Sequence, residues 1–142
     1  MKKLALVAGA AALALSPVFA LPALADASQE VTIAATHAGL AAKQTDLAKV
    51  HMHLQHALNC LVGPSGSGFD AAPGNPCAKA GKGAIPDSTD AAMKTKLEGA
   101  VASAKSGVAS SDLAAAQADA QKTADALKEA ISAENPLSRS AG

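Results

Sequence analysis

The stretch Leu47-Ala48-Lys49-Val50-His51-Met52-His53-Leu54-Gln55-His56-Ala57-Leu58-Asn59-Cys60-Leu61-Val62 places Leu47, Val50, Leu54, Leu58 and Leu61 at steps of three and four. That is the spacing of one apolar helix face. Upstream, Ile33 and Leu40 continue the series at steps of seven, so the pattern predicts one long amphipathic helix from Gln29 to Val62, only mildly interrupted by Gly39. Ser28 with Glu30 behind it supplies a start, and Gly63-Pro64 a firm stop.

Two further stripes follow. Met93, Leu97, Val101, Ala104 and Val108 come after the start signal Pro86-Asp87-Ser88-Thr89-Asp90. Leu113, Ala116, Ala120, Ala124, Leu127 and Ile131 step by three or four behind Ser110-Ser111-Asp112, a cap with an acidic first turn, and Asn135-Pro136 closes that helix. Helices in the order long, medium, medium predict an all-α fold, an antiparallel three-helix bundle in a single domain over 28–135 with a flexible tail at 136–142. Between the first two helices, Gly63 to Pro86 holds six Gly and four Pro in twenty-four residues, which predicts a long loop with neither helix nor paired strand. Gly63-Pro64-Ser65-Gly66-Ser67-Gly68 superficially resembles a phosphate-cradling loop, but the Lys-Ser/Thr ending is missing and a glycine-rich linker is the better reading.

At the other end, Met1-Lys2-Lys3 runs into an uncharged Ala/Leu/Val stretch to about Leu15, broken by Pro17 and Pro22. This is the pattern of a secretory signal over 1–25, with small residues placing cleavage after Ala25 or Ala27. The apolar run is shorter than the roughly 20 residues of a membrane span, so no stable membrane anchor is expected. The whole chain has twelve basic and twelve acidic residues; removing Lys2 and Lys3 leaves ten against twelve, a net charge of −2. Such a balance offers no basic patch for nucleic acid.

From Asp26 onward only twenty residues are Leu, Ile, Val, Met or Phe, and Phe69 is the sole Phe, Tyr or Trp. Alanine supplies the remaining apolar surface, favouring helix and close helix contact while burying little area per residue. So thin a core calls for a crosslink, a bound ion or a second subunit, either a homodimer or an envelope-protein partner. Cys60 and Cys77 are the only cysteines, and in an exported bacterial, periplasmic or secreted chain they are expected to form a disulfide.

Chemistry concentrates at the histidines. His51, His53 and His56 lie within six residues, and His37 stands fourteen before His51. On a helix, His53, His56 and Cys60 fall within about 60° of one another, opposite the leucine stripe. Neutral imidazole suits copper, zinc or nickel, so His53 and His56 are the primary metal-ligand candidates, with Asp70 the carboxylate available from the loop and Asn75 a weaker candidate. Ordinary solvated histidines on a polar face are the competing reading. His51 falls at the edge of the leucine stripe, on the side of His37, where a hydrogen-bonded and partly buried ring is expected. On one continuous helix His37 and His51 would sit about 21 Å apart, so an antiparallel dimer would be needed to bring them to one ion.

Met52 and Met93 would add thioethers and tilt the choice toward Cu(I), although Met93 belongs to an apolar stripe. Non-covalent haem is a third reading, disfavoured by the shortage of aromatic side chains. No grouping suits an enzyme: Asp87 and Asp90 read as helix caps, and a bridged cysteine cannot act as nucleophile. The sequence therefore supports an exported periplasmic accessory protein binding a transition metal, against a non-enzymatic interaction module whose histidines are incidental.

Overall fold

A computed structural model describes residues 27–134. The signal peptide over 1–25, cleavage after Ala25 and the tail at 136–142 lie outside those residues, whereas Ala27, the alternative cleavage position, is the first residue described. The described chain is all-helical, with α1 (Ala27–Ala41), α2 (Leu47–Val62), a single turn α3 (Ala84–Asp87), α4 (Ala91–Ala109) and α5 (Leu113–Glu134). Four of these are long, so the expected three-helix count is corrected to four. The difference lies in the first stripe, which is two helices and not one.

The break is at Ala42–Asp46, not at Gly39. The amides of Lys43 and Gln44 bond to the carbonyls of Leu40 and Ala41, tightening the end of α1. Asp46 then adopts an extended backbone (φ −120°, ψ 124°) and its carboxylate accepts the Lys49 amide at 3.0 Å, capping α2. Length explains why the chain turns here. A straight helix over Gln29–Val62 would run about 51 Å, and a partner of α4's size covers little more than half of it.

The four long helices form an up-down-up-down bundle. α2 and α4 are antiparallel, since His51 near the start of α2 reaches the carbonyl of Ser110 beyond the end of α4. Gln117 near the start of α5 bonds the carbonyl of Gln44 after α1, and Lys96 of α4 meets Glu129 of α5, which fixes the other two pairs. Around the ring α1 packs on α2 and α5, and α4 packs on α2 and α5. Val50, Leu54, Leu58 and Leu61 of α2, Leu97 of α4 and Leu127 of α5 are fully buried. On α1 the stripe differs from the expected one: Val31, Ala34, Ala38 and Ala41 are buried while Leu40 is 40 % exposed. Small side chains on that face let α1 lie close to its neighbours. Gly107 does the same for α4, where a Cβ would fall 2.5 Å from Leu54 Cδ1.

Two of the expected caps hold, and Asp87 is corrected: it ends α3 and its carboxylate accepts the Lys82 amide at 2.6 Å. Asp90 accepts the Met93 amide at 2.6 Å and Asp112 the Ala115 amide at 2.7 Å. The long loop ends slightly earlier than predicted, at α3. Its base is closed by Gly63 and Gly83, both at positive φ, whose backbones pass so closely that a Cβ on Gly83 would fall 2.6 Å from the Gly63 amide nitrogen. Its middle is tied by the Cys60–Cys77 disulfide, joining residues 17 apart in sequence. No helix among the described residues is long and apolar enough to cross a membrane.

Candidate metal centre

Folding α1 back on α2 changes which histidines can meet. His37, on α1, faces His53 and His56, on α2, and one ring nitrogen of each lies within 4.8 Å of the other two. His37 Nδ1 and His53 Nδ1 are 3.3 Å apart, and the His56 ring stands edge-on to that of His37 with centroids at 4.8 Å. All three rings are half-buried. His53 and His56 are brought together by their i, i+3 spacing, as the sequence predicts. His37 joins them inside one chain, across the turn at Ala42–Asp46, while His51, the partner expected for it across a dimer, is not in the group.

Burial and mutual repulsion favour the neutral form of His37 and His53. His37 is pushed down from the ordinary 6.5 to about 4, first by burial and then by the charges that His56 and His53 would carry. His53 is lowered for the same reasons, burial first and then His56. Neutral imidazole is the form that binds metal. Between His37 Nδ1 and His53 Nδ1 there is room for a single proton; a cation placed there satisfies both lone pairs.

The depressed His37 also has a consequence for the metal-free protein. Below pH 6.5 the unfolded chain takes up a proton on this residue that the folded chain refuses until about pH 4. Stability contributed above pH 6.5 is therefore lost as pH falls from 6.5 to about 4, and the dependence flattens below. Allowing for screening at a ring still partly in contact with solvent, the loss is on the order of 1–2 kcal/mol. Denaturant melts of wild type and His37→Gln across pH 7 to 4 should diverge by that amount, the wild type losing more; parallel curves would contradict the assignment.

The other sequence candidates lie elsewhere. Asp70 is not grouped with the triad: it is exposed, and its Oδ1 accepts the Ala72 amide at 2.8 Å in a local turn of its own loop. Asn75 likewise caps the Cys77 amide at 3.0 Å. His51 is outside the triad. Its Nε2–H donates to the Ser110 carbonyl at 2.9 Å, and the ring is half-buried, the environment its place on the helix predicts. His51→Ala is expected to cost about 1–2 kcal/mol in a thermal or urea melt, by leaving a helix-end carbonyl unpaired, with zinc affinity unchanged. A loss of zinc binding in that variant would place His51 in the site. Met93 is a core residue at 5 % exposure, and Met52 is exposed.

Sequence reasoning missed the polar pair Gln55 and Asn59. Both are buried although they stand among leucines on α2. Asn59 Nδ2 donates to the carbonyls of Asp70 (2.6 Å) and Gly74 (2.7 Å), and its Oδ1 accepts from the Asp70 amide (3.0 Å) and from Gln55 Nε2 (3.0 Å). Gln55 Nε2 also donates to the Gly68 carbonyl at 2.8 Å. Their i, i+4 spacing, each directly after a stripe leucine (Leu54 and Leu58), is the available signal: two amides on a nearly apolar face need partners.

No protein-family model, curated protein or solved structure matches the chain. What the fold and site define is a class: a disulfide-tied helical bundle carrying a histidine triad between its first two long helices.

Proposed function

We propose that this chain is an exported, non-enzymatic protein that binds one transition-metal ion through His37, His53 and His56. The observation that carries the reading is the convergence of three imidazoles, two of them with pKa values held down, from helices folded against each other. Three nitrogen donors select borderline ions such as zinc, copper or nickel over calcium and magnesium, which prefer oxygen. Both cysteines are committed to the disulfide and supply no thiolate.

His37 Nδ1 and His53 Nδ1 are 3.3 Å apart, close to the roughly 3.3–3.4 Å between two nitrogens on a tetrahedral ion, so zinc is the first ion to test. With no ligand nitrogen more than 4.8 Å from another, tetrahedral binding requires a closure of at most about 1.4 Å, within reach of side-chain rotation. Export fits the cationic, apolar amino-terminal sequence and the disulfide, which belongs to an oxidising compartment. Storage, delivery or buffering of the ion outside the cytoplasm is the role such a site serves.

The test is calorimetric titration of untagged, metal-free protein with zinc and Cu(II). One zinc per chain with Kd well below 10 μM is expected; binding no tighter than about 10 μM for either ion would remove the metal-binding reading and leave the interaction module.

A further inference from the structure

The ring nitrogen by which His56 holds the ion is decided by the loop beneath it. His56 Nε2 lies 2.7 Å from the Pro73 carbonyl, and because a carbonyl only accepts, Nε2 carries the proton. In the neutral ring His56 Nδ1 is then the acceptor, and it is buried and without a hydrogen-bond partner among the described residues. Pro73 is held in place from both sides by one side chain: Asn59 donates to the carbonyl of Asp70 before it and to that of Gly74 after it. Gly74, at φ +103°, lets the chain turn back directly over the ring.

We infer that Asn59 is a positioning residue for the metal site, fixing the Pro73 carbonyl so that His56 presents Nδ1 to the ion. The inference rests on the triad reading above and extends it, by assigning the ligand atom of His56 and an outer shell built from the loop 70–74. Metal-bound histidines commonly donate their second N–H to a carbonyl, which fixes the tautomer and aims the ring; disturbing such partners typically weakens metal binding 10- to 100-fold. Here the carbonyl belongs to a proline in a glycine-rich loop, so its position depends on what holds the loop. A buried asparagine on the same helix as the ligand does this across one turn, since Asn59 follows His56 by three residues.

Long-range nitrogen–proton NMR correlations on uniformly nitrogen-15-labelled protein read the tautomer directly. Metal-free wild type is expected to show His56 protonated at Nε2, and zinc-loaded protein to show zinc on His56 Nδ1 with Nε2–H retained. Zinc on His56 Nε2, or an Nδ1–H tautomer in the metal-free protein, would overturn the inference. In parallel, Asn59→Ala is compared with Gln55→Ala, which removes the bonds from Gln55 to Gly68 and to Asn59 Oδ1 but leaves both Asn59 Nδ2 bonds, to Asp70 and Gly74, in place. Asn59→Ala should weaken zinc binding at least 10-fold with loss of the fixed His56 tautomer, while Gln55→Ala stays within about threefold of wild type. Equal zinc affinity in Asn59→Ala and wild type would overturn the inference and leave the triad standing; absence of zinc binding by wild type would remove both. If Asn59→Ala does not fold, the wild-type tautomer and ligand atom decide.

Discussion

Replacing His37 with Ala is expected to lower zinc affinity by roughly 100-fold or more while leaving the helical bundle intact. His37 is the single member of the triad on α1, and without it the ion retains only the two imidazoles of His53 and His56 on α2. The fold has little stake in the ring at neutral pH. It is half-buried, makes its polar contact within the cluster, and its removal should change stability by no more than about 1 kcal/mol in metal-free protein. Competition titration against a chromophoric zinc chelator measures the affinity, and circular dichroism checks the helices. Wild-type affinity in His37→Ala would mean that the ion is held by α2 alone and that folding α1 onto it has no functional consequence.

That experiment bears on the place where sequence and structure part. The stripes of α4 and α5, their aspartate caps, the disulfide and the pairing of His53 with His56 all follow from periods and local chemistry, and each is present. The hairpin of α1 and α2 does not follow, because Ile33, Leu40, Leu47 and Leu54 keep a seven-residue period straight through the turn. Periodicity reports which side of a helix is apolar and is silent on whether the helix continues. The turn is instead written in Thr45-Asp46 ahead of Leu47, a cap signal with no proline or glycine to advertise it. Read as one continuous helix, the sequence places His37 far along the axis from His53 and His56. The outer shell was hidden for a related reason: Asn59 acts on backbone carbonyls of a loop, and backbone groups leave no composition signal.

Replacing both Cys60 and Cys77 with Ala is expected to lower the melting temperature by roughly 12–20 °C. Closing a loop of 17 residues contributes about 3 kcal/mol in the chain-entropy model, and each kcal/mol shifts a domain of this size by about 4–8 °C at the lower and middle part of that range. The thinness of the apolar core makes the crosslink matter, since alanines fill most of the buried positions on α1 and α5. Because Cys77 anchors the loop that reaches His56, the same double variant should also bind zinc less tightly. Calorimetric melts of the two proteins without metal measure the first effect; a difference under about 4 °C would show that the helices and the Asn59 clamp hold the loop unaided.

The most direct test of the triad is X-ray absorption at the zinc edge of protein loaded with one equivalent of zinc. Three imidazole rings on one ion predict nitrogen scatterers at about 2.0–2.1 Å, outer-shell features from three rings, and no sulfur at about 2.3 Å. A spectrum fitted by two or fewer imidazoles, or by sulfur in the first shell, would contradict a centre built from His37, His53 and His56.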